Sequence, residues 1–215
     1  MKTDELIEML STNLEPVGAN ELRNTLLMAL AVAVGVVAAI CIGWAGVNMH
    51  AAVGNGAHWG FLAIALVFTL GFAAVGASML FRFARPGHSR RGPLQLLGLL
   101  LVVVVGALIA TFSMPNHAPW GSMMVAGSWG TCLVCIPIFA AVPFGALIWG
   151  LRKAAPTHLV LTGAIVGLVA GGLGAAAVAV HQPGPSAIFI LLWYGGPIAL
   201  CALVGAMIGP RLLRW

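Results

Sequence analysis

From Asn24 to Trp215 the chain contains no Asp or Glu side chain, and its five acids, Asp4, Glu5, Glu8, Glu15 and Glu21, all fall within the first 21 residues. Charged residues make up 7% of the sequence, whereas ordinary soluble domains are about a quarter charged. So few charges cannot cover a globule of 215 residues, which excludes a soluble fold, a disordered chain and a direct nucleic-acid-binding domain. The solvent this composition fits is lipid.

A helix crossing about 30 Å of hydrocarbon needs roughly 20 apolar residues. Six charge-free windows meet that length: 25–47, 59–81, 94–112, 131–151, 159–180 and 187–208. A transmembrane barrel would show shorter segments of alternating polarity, and the run from Leu99 to Val105 does not alternate. The fold class expected is all-α: a polytopic six-helix transmembrane bundle, residues 25–215, preceded by a short amphipathic cytoplasmic helix within residues 1–24. The first window follows an acidic segment, not a short basic one with a small-residue cleavage site, so it reads as a retained span.

All ten cations then fall on one side of the membrane. Lys2 and Arg23 precede the first window, Arg82, Arg85, Arg90 and Arg91 separate the second and third, Arg152 and Lys153 the fourth and fifth, and Arg211 and Arg214 end the chain. By the positive-inside rule both termini are cytoplasmic. Trp44, Trp59, Trp120 and Trp129 mark the opposite ends as an outer aromatic belt.

No window holds Asp, Glu, Lys, Arg or His away from its ends, which argues against proton-coupled transport. A small carrier or channel for a neutral solute, with a self-docked tail, escapes that argument. Gly163, Gly167 and Gly171 recur every four residues, with Gly172 and Gly174 nearby and Gly205 and Gly209 in the last window. Such spacing lets helices approach closely, within the bundle or, alternatively, in a homo-oligomer. Pro137, Pro143 and Pro197 should kink their helices.

Cys132 and Cys135 follow Trp129 at the outer end of the fourth window, and His50, His58, His117 and His181 lie on the same side with Met49, Met114, Met123 and Met124. Thiol, thioether and imidazole suit a soft metal, but no Cys/His pair has structural-zinc spacing, so interfacial His and Met with packed Cys is the plainer reading. Cys41 and Cys201 read as packing residues. Nothing resembles a nucleophile motif, a carboxylate pair or a phosphate-binding glycine loop, so neither an enzyme nor a cofactor is expected.

In residues 3–16, Leu6, Ile7, Leu10 and Leu14 gather on one face of a helical wheel with Met9 at its edge, and Asp4, Glu5, Glu8 and Glu15 take the other. A helix of about 11 residues is marginal alone, and an acidic one is repelled by the anionic cytoplasmic leaflet. Residues 1–24 carry a net −3 and the remainder +8, so the stripe either docks on the chain's own basic loops or is captured by a cytoplasmic protein.

The order of these features resembles the NrsF-type family of membrane anti-sigma factors, negative regulators of extracytoplasmic-function sigma factors. The resemblance runs through Met1 to Ile7, Glu15-Pro16-Val17, the Trp-x-x-Cys element Trp129 to Cys132, the basic loop Leu151 to Pro156, Trp193-Tyr194 and the ending Gly205 to Trp215. It implies a six-span inner-membrane protein whose N-terminal segment (Asp4, Glu5, Leu6, Ile7, Glu8, Met9, Leu10, Leu14) sequesters a sigma factor until an envelope, redox or metal stimulus arrives. It also implies thiol-dependent sensing by Cys132 and a second thiol in a His-Cys-Pro element. Here that element is His181-Gln182-Pro183, and Gln182 has no thiol; His181 persists, and Cys135 stands as the replacement candidate one turn from Cys132.

Overall fold

A computed structural model describes residues 19–48, 56–83, 98, 129–152, 158–181 and 187–213. These residues are helical, with no strand among them. The elements are α1 (Ala19–Asn48), α2 (Gly56–Phe83), α3 (Trp129–Arg152), α4 (Leu159–His181), α5 (Ala187–Trp193) and α6 (Gly195–Leu212). Five helical stretches are long and apolar enough to cross a membrane, the last being Phe189–Leu212. The expectation of six is therefore not met among the described residues. Of the missing window, 94–112, only Gly98 is described, and residues 3–16, with their apolar stripe and acidic face, lie outside the described residues.

Two boundaries differ from the sequence expectation. Helix α1 begins at Ala19, ahead of the expected window 25–47, so it also carries Glu21 and Arg23. The last window is divided at Tyr194 into α5 and α6. The cause is Pro197, which lacks an N–H to bond the Trp193 carbonyl and crowds it with its ring. On either side of that gap the ladder is intact: the Tyr194 N–H donates to Ile190 O at 2.9 Å and the Ile198 N–H to Tyr194 O at 3.1 Å.

Helix α4 is the centre of the bundle, with 83% of its span buried against 22% for α1, and α1, α2, α3 and α6 all pack on it. Its glycines make that possible. A Cβ at Gly163 or Gly167 would overlap the backbone carbonyls of Gly205 or Cys201 on α6. One at Gly172 would stand 2.8 Å from Thr69 O on α2, and one at Gly174 2.7 Å from Ile136 O on α3. The glycine faces are thus consumed inside the chain, which answers the choice between bundle packing and an oligomer contact in favour of packing.

The same contacts fix helix directions. Gly172 faces Thr69 and Ala73, while Gly76 faces Val169, so α2 runs antiparallel to α4. Gly163 meets Gly205 and Gly209, and Gly171 meets Ile198, so α6 does too. Helices α3 and α6 run together, with Cys132, Ile136 and Ile198 in one buried cluster and Arg152 Nε donating to Leu212 O at 2.9 Å at the other end. Gly150 sits against Ala29 and Thr25 at the start of α1. In consequence Arg23, Arg82, Arg152 and Arg211 share one end of the bundle, and Phe61, Trp129, Cys132, His181 and Trp193 the other.

Two large apolar clusters follow this polarity, one towards the arginine end around Leu26, Leu80, Leu147, Leu151 and Leu213, one towards the aromatic end around Phe61, Cys132, Phe189 and Tyr194. Outward faces are equally apolar: Met28, Ile42, Val67, Leu203 and Met207 are each at least two-thirds exposed. The hydroxyls of Thr69 and Ser78 donate within their own helix, to Ala65 O at 2.8 Å and Val75 O at 2.7 Å, so each is satisfied in place.

Candidate functional site

Residues Asp4, Glu5, Leu6, Ile7, Glu8, Met9, Leu10 and Leu14 lie outside the described residues, so the geometry bears on the sensing candidates. Helix α3 opens with Trp129 at the aromatic end of the bundle and turns Cys132, one turn later, inward. Cys132 is fully buried, and Cys135, half-buried, packs on the same cluster from the next turn. All four cysteines are thiols.

Facing Cys132 is Tyr194, also fully buried, at the interruption between α5 and α6. The Tyr194 hydroxyl and the Cys132 Sγ are hydrogen-bonded. The ring is fixed on two sides by edge-on contacts, with Phe61 of α2 at 6.5 Å and Phe189 of α5 at 6.4 Å between centroids. Above this layer Trp129 lies against Trp193 at 5.2 Å, joining the head of α3 to the end of α5. Cys132 thus belongs to a buried cluster built from α2, α3, α4, α5, Tyr194 and the start of α6.

His181 is the last residue of α4, at the same end of the bundle. Its Nδ1 lies 2.8 Å from Ala177 O, and because a carbonyl only accepts, Nδ1 carries the proton. The side chain therefore turns back along its own helix. Gln182 and Pro183 lie outside the described residues, as do His50, His117 and the four outer methionines. Among the described residues no three His, Cys, Asp or Glu side chains converge as a metal site requires. Cys201 packs on the α4 glycines: a Cβ at Gly171 would lie 3.0 Å from its Cβ.

Sequence reasoning placed Cys132 and Cys135 correctly at one helix end but did not single out Tyr194 as a site residue. The signal was present. It is the one tyrosine in the chain, set in an apolar window, and a buried phenol hydroxyl needs a partner.

The chain is similar to known proteins along its length. The NrsF family model, described as negative regulator of sigma F, matches residues 10–215. The chain is 28% identical over 226 aligned residues to the anti-sigma-F factor NrsF of Caulobacter vibrioides. It is 27% identical over 217 to the probable anti-sigma-F factor NrsF of Azospira oryzae, and each alignment covers 100% of both chains. No solved structure matches it.

Proposed function

The chain belongs to the NrsF family of negative regulators of sigma F, and from that premise we propose that it is an inner-membrane anti-sigma factor that sequesters its sigma factor through the cytoplasmic N-terminal segment. The apolar stripe Leu6, Ile7, Leu10 and Leu14, edged by Met9, enters a groove on the partner, and Asp4, Glu5 and Glu8 meet its basic rim. Sigma factors act in the cytoplasm, so the segment has to emerge there.

The observation that carries this reading is the gathering of Arg23, Arg82, Arg152 and Arg211 at the end of the bundle from which α1 starts. Cations collect on the cytoplasmic side of membrane proteins, so the segment preceding α1 is presented to the compartment where its partner resides. Helix directions also support a sixth span. Since α2 and α3 run the same way, the chain between them has to return across the bundle, and 94–112 is the apolar window available to do so. The carrier alternative finds no opening along α4 at Gly163, Gly167 and Gly174, where backbones touch.

Release follows an event at Cys132, the buried thiol at the outer end, on an envelope, redox or metal stimulus. A change there shifts the bundle towards a state with lower affinity for the partner. In cells, Leu6→Glu and Leu10→Glu are expected to free the sigma factor and switch on the genes it transcribes. Full repression by both variants would contradict the proposal.

A further inference from the structure

The Cys132–Tyr194 hydrogen bond stands at the interruption between α5 and α6, where Pro197 leaves the Trp193 carbonyl without its helical donor, and it joins that place to a different helix. We propose that Tyr194 is a positioning residue for Cys132: its hydroxyl holds the thiol and, through it, latches the α5–α6 break closed against α3. The inference rests on the reading of Cys132 as the sensing thiol.

Three features at Tyr194 combine. Pro197 removes a backbone hydrogen bond from the Trp193 carbonyl, and Gly195 and Gly196 bring no Cβ to brace the chain, with open space around Gly196. The break is therefore a joint. Phe61 and Phe189 orient the ring by edge contacts, and the hydroxyl adds a directional hydrogen bond from this joint to the head of α3, beside the Trp129–Trp193 ring contact. Below the joint, α6 runs as one piece along the α4 glycines to Leu212, whose carbonyl receives Arg152 Nε from the far end of α3. The head and the foot of α6 are thus each tied to α3, through Cys132 and Arg152.

Both latch residues have no solvent-exposed surface. A group added to Sγ has to take the place of the hydroxyl in a close-packed cluster, so the ring or the first turn of α3 must give way. With a thiosulfonate the step is simple. The Cys132 sulfur, having lost its proton to water, attacks the sulfenyl sulfur of the reagent; an S–S bond forms and a sulfinate leaves with the electron pair. Thiol chemistry at the outer end thereby becomes movement of the α6 head relative to α3.

The test uses the full-length protein in bilayers, methyl methanethiosulfonate as probe, and ultraviolet resonance Raman scattering, in which the tyrosine doublet is unambiguous because the chain has one tyrosine. The doublet of the untreated protein is expected to be that of a hydrogen-bond donor and to shift in the same direction in Cys132→Ala and after modification of Cys132. Tyr194→Phe, which keeps the ring, should speed modification of Cys132, located by mass spectrometry, by about fivefold, the factor set by one ordinary hydrogen bond. A doublet indifferent to both changes, or an unaltered modification rate, overturns the latch. Phe189→Leu loosens the same cluster while leaving the hydroxyl in place. If it accelerates modification as much as Tyr194→Phe with the doublet unmoved, the role is packing and the proposal fails. None of these readouts involves the sigma factor, so they separate from the anti-sigma reading, which fails if Leu6→Glu and Leu10→Glu retain full repression.

Discussion

At the scale of single residues, the fold depends on what is missing from α4. Each added methyl on the α6-facing glycines meets backbone, not a side-chain tip that can swing away. Gly167→Ala is therefore expected to cost about 1–3 kcal/mol, the usual penalty for overpacking, and to lower the Tm of the purified protein. Gly35→Ala on α1, where nothing stands within 4 Å of the new Cβ, should leave the Tm unchanged or raise it, since Ala replaces Gly in a helix at a gain of roughly 0.5–1 kcal/mol. Equal losses in both would show that the seam is not as tight as drawn. The spacing of Gly163, Gly167 and Gly171 was legible in the sequence; their partners Cys201, Gly205 and Gly209 were not, because spacing gives a face and says nothing of which helix covers it. Tyr194 was passed over for a related reason. Its importance lies in a hydrogen bond to a residue 62 positions earlier, counting back to Cys132, which no local pattern encodes.

Elements were more legible than contacts. Apolar windows at 25–47, 59–81, 131–151 and 159–180 correspond to α1, α2, α3 and α4 with shifts at their ends, since a stretch long enough to span lipid is recognisable from composition alone. The last window corresponds to the stretch Phe189–Leu212, and its interruption at Tyr194 falls where Pro197 was expected to disturb the helix. Pro137 and Pro143, by contrast, sit within α3, which is one helix from Trp129 to Arg152. The foot of α6 provides a test at this scale. Arg152→Met removes the donor to Leu212 O and should fray only the final turn, seen as faster amide exchange at residues 211–213 with the rest of α6 protected. Loss of protection along the whole helix would mean that the tie at Arg152 holds more than an end.

For the molecule as a whole, the decisive pattern is polarity from end to end: arginines at the end from which α1 starts, aromatic rings and Cys132 at the other. Six crossings follow if 94–112 returns the chain between the parallel helices α2 and α3. Reporter fusions after His88 should accordingly remain cytoplasmic, and those after Gly54, Pro119 and Gly184 should be exported; a cytoplasmic reporter after Pro119 would refute the sixth span. That Arg23, Arg82, Arg152 and Arg211 share one end was readable before any coordinates, because the cations flank alternate ends of successive apolar windows. What binds the acidic segment was not readable in that way, since an amphipathic stripe specifies a groove but not its owner. Ownership of that groove is tested most directly by a binding measurement with the full-length protein in proteoliposomes and a purified sigma factor of the sigma F type from the same organism. Saturable binding that is abolished by deleting residues 1–18 and by Leu6→Glu with Leu10→Glu is the predicted result. Binding that survives the deletion, or none to the intact chain, would contradict it.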